Sequence, residues 1–225
     1  MTDPREAAAA TDAAAADAPV RRRRRSTGSY AAADARRAAI IETATGLFAD
    51  QGFHRTTLGE VARATGVSQT GLLHHFKTKD SLLLAVLSAR DRQEMRHFGP
   101  PTNGLRAHLA HILDVLTEEA ATPALTRLFL TTAGEATAPE HPAHDYFRRR
   151  YTLMCENNAR AVTASMTAGE VRQDTDPQAV GRTLVAVTDG LKLQWLLSPT
   201  FDLVTETRLH FDALLRGLAT ERGAR

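Results

Sequence analysis

The sequence has little of what membrane, secreted and metal-binding proteins usually carry. Its 225 residues include one cysteine, Cys155, so the chain cannot form an internal disulfide or a metal site built from several thiolates. The longest aliphatic run, Leu82 to Leu87, is far shorter than the roughly 20 apolar residues that a membrane-spanning helix needs. No apolar segment near the N-terminus resembles the core of a signal peptide. These absences favour a cytoplasmic protein.

A large net charge is also lacking, but the charge is unevenly distributed along the chain. The formal net charge is +2. Residues 21–98 contain 14 basic and 7 acidic residues, whereas residues 1–20 carry a net −3 and the remaining residues a net −2. The excess of positive charge therefore lies in the first half of the chain, where it favours binding to a polyanion such as DNA.

Apolar residues recur at helical spacing along most of the chain, and no segment shows the alternation typical of a strand. The pattern predicts an all-α fold of about nine helices. Residues 1–30 are alanine-rich and lack an apolar stripe, so we expect a disordered tail there. Its arginine run, Arg21–Arg25, suits either a DNA-contacting arm or a solubilising tail. Residues 31–80 are predicted to form one domain, and residues 81–225 a second.

A helix-turn-helix pattern lies in the first of these domains. Thr57 and Glu60 have the spacing of a capping box, which predicts the start of a short helix, and Gly66 suits the positive φ that ends it. Ser68 then suits the N-cap of a second short helix. Two short helices joined by a tight turn containing glycine are typical of the unit that places its second helix in the major groove of DNA.

The residues of this unit resemble the TetR family of transcriptional regulators. The resemblance rests on the segments Gly52–Thr57, Val61–Ser68 and Leu72–Lys79, and it covers residues 36–87. The helical remainder is similar in length and rhythm to the effector-binding and dimerisation domain of that family. Many members carry Tyr where Leu73 stands, so this chain lacks that hydroxyl.

The resemblance implies roles for residues on double-stranded DNA. Polar side chains early in the second short helix would face the groove and read bases: Gln69, Thr70 and His74. Three further residues are expected to hold phosphates, because cations and helix N-termini favour anions: Thr57, His75 and Lys79. Adjacent histidines point about 100° apart on a helix, so no metal ion is expected between His74 and His75.

The second domain is expected to enclose an effector and to form a dimer. Five residues that interrupt its apolar stripes are candidates for contacts to a small-molecule effector: His111, Phe129, Tyr151, Met154 and Asn158. The same five residues would equally fill a solid core. The long apolar faces of the last two helices predict a symmetric dimer interface through Leu184, Val187, Leu191, Trp195, Phe211, Leu214 and Leu218.

Signatures of an enzyme are scarce. The pairs His108 with His111 and His141 with His144 have no acidic residue at a metal-binding spacing, which favours core or surface roles. The sequence contains no nucleophile elbow, phosphate loop or dinucleotide fingerprint. We therefore predict no catalytic residues, no metal and no cofactor.

Taken together, these features predict a homodimeric repressor that binds a palindromic operator and is released from it by a small molecule. Two other interpretations remain open. One is a nonspecific architectural DNA-binding protein, which would show no preference between an operator and random DNA. The other is an enzyme with an appended DNA-binding domain, which would need converging titratable residues in 105–218.

Overall fold

The computed structural model describes residues 27–98 and 104–220, and in these ranges the fold is all-α, as predicted. These ranges contain nine helices: α1 (Thr27–Gln51), α2 (Leu58–Thr65), α3 (Gln69–His75), α4 (Lys79–Phe98), α5 (Leu105–Ala121), α6 (Pro123–Glu135), α7 (His144–Thr167), α8 (Pro177–Leu197) and α9 (Leu203–Leu218). No helix in the described part of the chain has both the length and the apolar character needed to cross a bilayer. The arginine run Arg21–Arg25 lies outside the described residues.

α1 is longer at its start than the sequence pattern predicts. It begins at Thr27, inside the segment 1–30 that was expected to be a tail. Its residues 30–39 are exposed, and the buried face starts at Ile40. The apolar stripe could not reveal these first turns, because exposed alanine-rich turns form helix without burying side chains. Gly52 follows the helix with φ of +87°, a left-handed conformation that favours glycine.

α2 and α3 form the predicted helix-turn-helix. The Thr57 hydroxyl accepts a hydrogen bond from the Glu60 amide at 3.2 Å, and the Glu60 carboxylate accepts one from the Thr57 amide at 2.7 Å, so the capping box is confirmed. Gly66 ends α2 with φ of +73°. Ser68 caps α3 by accepting from the Gly71 amide at 3.0 Å. Local hydrogen bonds thus determine where both helices begin and how the chain turns between them.

α4 belongs to both halves of the molecule. Its first half buries Leu82, Leu83, Val86 and Leu87 in a core shared with α1, α2 and α3. The same core continues into α6 and α7, where Phe129 is one of its members. The predicted domain boundary at the start of α4 therefore does not coincide with a gap in the packing.

A second core lies between α5, α7, α8 and α9. Its buried residues are Leu105, Leu109, Leu113, Leu116, Val162, Val171, Val180, Leu184, Leu191, Leu203 and Phe211. α8 crosses α7 closely at Gly181, where a Cβ atom would lie 2.6 Å from the carbonyl oxygen of Cys155. A side chain at this position would force the two helices apart. An isolated antiparallel β-bridge between Val171 and Ala219 joins the α7–α8 loop to the end of α9.

The apolar faces of α8 and α9 are used largely inside the chain, which removes three buried residues from the predicted dimer interface and leaves the other four as a prediction. Three of its residues are buried in the second core: Leu184, Leu191 and Phe211. The others are partly buried against the same core: Val187, Trp195, Leu214 and Leu218. The large apolar side chains that these helices expose are Leu193, Leu197 and Leu209. Periodicity identified an apolar face, but it could not show that α5 and α7 of the same chain cover it.

Candidate DNA-binding surface and ligand cavity

α3 presents the residues predicted to read bases to solvent. Leu72 is buried and holds the helix against its neighbours. Gln69 and Thr70 in the first turn and His74 one turn later are all exposed. Leu73, at the position where Tyr is common in the family, is 40% exposed. The buried side of α3 is thus apolar, and its exposed side carries polar groups that suit base edges.

Thr57 has surroundings that change its expected role. Its hydroxyl donates to the Glu60 carboxylate at 2.9 Å, so its proton is not available to a phosphate. Hydrogen bonds from the Thr57 amide and hydroxyl lower the pKa of Glu60, which keeps that carboxylate ionised. The donors that remain for an anion at this end of α2 are the backbone amides of Leu58 and Gly59, which have no intrahelical acceptor.

Arg37 is a cation beside α3 that the sequence pattern did not single out. Its guanidinium carbon lies 4.2 Å from the centre of the Phe76 ring, and its guanidinium donates to the His75 carbonyl oxygen at 3.2 Å. The His75 ring is half-buried and meets the His74 ring edge to face, with ring centres 5.6 Å apart. Arg37 is exposed, so it places positive charge at the C-terminal end of α3. In the sequence, Arg37 is one of the basic residues that give the segment 21–98 its excess of positive charge.

Lys79, predicted to hold a phosphate, contacts backbone carbonyl oxygens in the DNA-free chain. Its ammonium donates to the carbonyl oxygens of Phe53 at 3.0 Å, His54 at 3.2 Å and Thr56 at 3.2 Å. The Lys79 nitrogen also lies 4.5 Å from the centre of the Phe53 ring. An ammonium has three N–H donors, and these three bonds use them. Lys79 therefore ties the start of α4 to the loop between α1 and α2, and the phosphate contact expected of it stays a prediction.

A cavity opens between α4, α5, α7 and α8. It contains about 660 Å³ of space free of protein atoms, its mouth included. Three of the predicted effector-contact residues line this cavity: His111, Met154 and Asn158.

A smaller cavity adjoins the first and contains about 370 Å³ of space free of protein atoms, its mouth included. The other two predicted contact residues, Phe129 and Tyr151, line it together with Met154. The two cavities share Met154, Glu119, Arg150 and Lys192 in their walls. The structure therefore places all five predicted residues around two adjoining cavities.

Charged side chains that the sequence pattern did not single out form a network beside the cavities, and their exposure ranges from 7% for Glu119 to 33% for Asp91. We call them the charge cluster, and its members are Arg90, Asp91, Glu94, Glu119, Arg150, Asp189 and Lys192. At its centre, Glu119 pairs with Arg90 and, at 3.3 Å, with Lys192. Lys192 also pairs with Asp189 at 2.8 Å. Burial by itself would raise the pKa of Glu119, but Lys192 and Arg90 outweigh burial and lower it. Glu119, Arg90 and Lys192 are therefore all charged.

The other half of the charge cluster is centred on Arg150. Its guanidinium pairs with Asp91 and, at 3.3 Å, with Glu94. The Tyr146 hydroxyl donates to Asp91 at 2.6 Å. Burial would lower the pKa of Arg150, but Asp91 and Glu94 reverse the effect and raise it. Burial first and then Asp91 raise the pKa of Tyr146, so its hydroxyl stays protonated and donates.

One signal in the sequence could have revealed the centre of this cluster. Leu105, Leu109, Ile112 and Leu116 form the apolar stripe of α5, and Glu119 occupies the next position of the same stripe. A carboxylate at a core position predicts a buried cation nearby. The sequence could not identify that cation, because Arg90 lies 29 residues before Glu119 and Lys192 lies on α8.

The histidine pairs have structural contacts. His108 is buried and bonded to Asn158 at 2.7 Å, and the His144 Nδ1 donates to the Ala136 carbonyl oxygen at 2.8 Å. The His141 Nδ1 accepts from the Ala143 amide at 3.1 Å. Within residues 27–98 and 104–220, no group of three or more His, Cys, Asp and Glu side chains is arranged to hold a metal ion.

Comparison with known proteins connects both parts of the chain to one family. The profile described as bacterial regulatory proteins, tetR family, matches residues 40–86. The profile described as the C-terminal part of BetI-type transcriptional repressors matches residues 103–221, more than half of the chain. The chain belongs to the TetR family of transcriptional regulators. The family predicted from the helix-turn-helix residues is thereby confirmed, together with a DNA-binding, regulatory function.

Individual TetR-family proteins resemble the chain over most of its length. The HTH-type transcriptional regulator AcrR of Shigella flexneri is 28% identical over 195 residues, which are 81% of this chain and 89% of AcrR. SmeT, a repressor from Stenotrophomonas maltophilia solved with triclosan, has a TM-score of 0.71 at 20% identity, over 83% of this chain and 93% of SmeT. A regulator from Saccharomonospora viridis solved with choline has a TM-score of 0.68 at 20% identity, over 84% of this chain and 100% of that one.

At these identities the two solved structures establish the shared fold alone. The relatives found by sequence are transcriptional regulators, in agreement with the prediction that the chain is not an enzyme.

Proposed function

We propose that this TetR-family protein is a homodimeric repressor that binds a palindromic operator through α3 and leaves it when a small molecule occupies the cavity. The position of α4 carries the proposal. Its first half is packed into the core of the helix-turn-helix domain through residues such as Leu83 and Leu87. Its second half supplies Arg90, Asp91 and Glu94 to the charge cluster beside the cavity. One helix therefore contacts both the DNA-binding unit and the ligand cavity.

DNA recognition is attributed to the exposed side of α3. Gln69 can bond an adenine edge through two hydrogen bonds, and Thr70 and His74 can contact neighbouring bases. The amides of Leu58 and Gly59 at the start of α2 suit phosphate oxygens, which would position α3 in the groove. Specificity would thus come from α3, and orientation from α2.

Dimerisation is attributed to the apolar residues that α8 and α9 leave exposed. Leu197 is 78% exposed, and Leu193 on the same helix and Leu209 on α9 are more than half exposed. Leu193 and Leu197 lie four residues apart on one face of α8, and an exposed apolar patch of this kind is typical of an interface. Two copies related by a two-fold axis would bury them in a four-helix arrangement and would place two α3 helices in successive major grooves.

Release requires a ligand that binds the DNA-free arrangement more tightly than the DNA-bound one. A ligand with equal affinity for both arrangements would shift nothing, and nearly complete switching requires a ratio of about 10⁴, or ~5.5 kcal/mol. The charge cluster supplies a physical coupling, because a ligand that displaces α5, α7 or α8 changes the ion pairs of α4. SmeT was solved with triclosan and the Saccharomonospora regulator with choline, so the fold accommodates different ligands.

Selection of binding sites from random double-stranded DNA, followed by footprinting, tests the proposal. We expect an inverted repeat whose half-sites are centred about 10 base pairs, or a small multiple of one helical turn, apart. Gln69→Ala should lose discrimination of about 1–3 kcal/mol at one base of each half-site. The control is Gln178→Ala, an exposed glutamine on α8, which should leave the selected sequence unchanged. Uniform, salt-sensitive coverage without a preferred sequence would contradict the proposal and favour an architectural protein.

A further inference from the structure

A chain of hydrogen bonds crosses the wall of the larger cavity. The Asn158 amide nitrogen donates to the Gly181 carbonyl oxygen at 3.0 Å. Its amide oxygen therefore points the other way, to His108 Nε2 at 2.7 Å. Because that oxygen can only accept, Nε2 of His108 must carry the proton. The Gly181 carbonyl thus fixes the tautomer of His108 through Asn158.

His108 Nδ1 is left as an acceptor without a donor. His108 is buried and is one of the residues that line the cavity, and its buried Nδ1 has no hydrogen-bond partner within residues 27–98 and 104–220. Burial first lowers the pKa of His108, the bond to Asn158 opposes this, and the nearby His111 lowers it further. The net effect is a lowered pKa, so the ring is neutral at pH 7 and Nδ1 has a lone pair. An unsatisfied buried acceptor is costly, so a group that donates to it is stabilised at this place.

The charged side chains around the cavity are already paired with one another, so the cavity offers no free charge to a charged ligand. Two acidic and two basic side chains line it, namely Glu94, Glu119, Arg150 and Lys192. Each of them is paired within the charge cluster. A charged ligand would bring a buried charge with no opposite charge left to meet it.

The aromatic ring of Phe129, which could otherwise bind an organic cation, is already in contact with two arginine side chains of the protein. In the smaller cavity the guanidinium carbons of Arg90 and Arg150 lie 4.1 Å and 6.0 Å from the centre of the Phe129 ring. These two cations hold the positions that a quaternary ammonium group would take on that ring.

We propose that the larger cavity binds an uncharged, mainly apolar molecule whose hydroxyl or N–H group donates a hydrogen bond to His108 Nδ1. The inference rests on the proposed function, in which this cavity is the effector site. It adds the ligand class and the residue that recognises it. Asn158 acts as a positioning residue, because it holds the tautomer that leaves Nδ1 able to accept.

Three matched probes separate the required features of the ligand: 2-naphthol has a donor, 2-methoxynaphthalene has the same ring system without a donor, and 2-naphthoate is an anion. Binding is measured by calorimetry at pH 7 without DNA. We expect 2-naphthol to bind about three- to tenfold more tightly than the ether, the usual effect of one hydrogen bond. The anion should bind more weakly than 2-naphthol. Failure of 2-naphthol to bind, or equal binding of 2-naphthol and the ether, would overturn the proposal.

Two variants locate the acceptor. His108→Phe keeps an aromatic ring but removes the acceptor, so the preference for 2-naphthol over the ether should disappear. His111→Phe is the matched control, because His111 lies one turn further along α5 and lines the same cavity. That variant should keep the preference. Loss of the preference in His111→Phe, with His108→Phe unaffected, would overturn the assignment.

Nitrogen NMR of the ¹⁵N-histidine-labelled wild-type protein tests the tautomer, and the variant His108→Phe serves for the assignment alone. We expect the His108 ring to be neutral at pH 7, with Nε2 protonated and Nδ1 unprotonated. Its resonances are identified by their absence from the spectrum of His108→Phe. Its Nδ1 resonance should shift when 2-naphthol is added and stay in place when the ether is added. A protonated ring, or a proton on Nδ1, would refute the inference. Binding of 2-naphthol without release of DNA would contradict the proposed effector role and leave the ligand class intact.

Discussion

Glu119→Gln probes the centre of the charge cluster and keeps the size of the side chain. The carboxylate of Glu119 is 7% exposed and pairs with Arg90 and Lys192. Removing one partner of a buried ion pair costs about 3–5 kcal/mol, because the remaining charge stays buried. Lys192 retains Asp189 at 2.8 Å, which favours the lower end, about 3 kcal/mol. With a urea dependence of about 2 kcal/mol per molar, the unfolding midpoint should fall by about 1.5 M.

The stability that the ionised carboxylate of Glu119 contributes depends on pH in one direction. The pKa of Glu119 is lower in the folded chain than in the unfolded one, so its ionisation stabilises the fold above the unfolded value. That contribution is lost as the pH falls through the lowered folded value. The difference in stability between the wild type and Glu119→Gln should therefore be largest near neutral pH and shrink in acid. A difference that stays constant with pH would show that the carboxyl is not ionised in the folded state.

The matched control for this experiment is Glu118→Gln. Glu118 is the preceding residue of α5 and is exposed, so its change should alter stability by less than about 0.5 kcal/mol. Unfolding is followed by circular dichroism at one fixed protein concentration, because the proposed dimerisation would link stability to concentration. A loss below about 1 kcal/mol in Glu119→Gln, or equal losses in both variants, would refute the assigned role of the buried pairs.

Three further changes test other parts of the structure. Gly181→Ala should destabilise the fold by about 1–3 kcal/mol in urea unfolding, because its Cβ would lie 2.6 Å from the Cys155 carbonyl oxygen. Lys79→Met should lower the melting temperature and weaken DNA binding, but the salt dependence of binding should keep its slope, because three carbonyl oxygens already use the N–H donors of Lys79. Leu197→Glu should shift the protein from dimer to monomer in sedimentation equilibrium with little effect on the fold of one chain, because Leu197 is 78% exposed.

Each of these changes has a control elsewhere in the chain. Gly46→Ala should stabilise by up to about 1 kcal/mol, since a Cβ there meets no atom within 4 Å and alanine favours helix. Lys77→Met alters an exposed lysine and should leave the melting temperature unchanged. Leu153→Glu changes an exposed leucine of α7 and should leave the dimer intact. Destabilisation by Gly46→Ala, a flatter salt dependence for Lys79→Met, or dissociation by Leu153→Glu would contradict the respective arguments.

The sequence by itself determined the features that depend on neighbouring residues. The capping box of Thr57 and Glu60, the left-handed turn at Gly66 and the cap at Ser68 could all be predicted, because each involves residues a few positions apart. The exposure of Gln69 and Thr70 followed from the same local pattern. The start of α1 was missed, because exposed alanine-rich turns leave no apolar stripe.

Tertiary structure decided what depends on distant partners. Periodicity shows which residues share a helix face, but it does not show which helix covers that face, and the fold places Leu184 and Phe211 in the core of one chain. Lys79 looked like an exposed cation until the fold brought three carbonyl oxygens to it. Glu119 forms an ion pair with Lys192 on another helix, because Coulomb attraction depends on distance in space and not on separation along the chain.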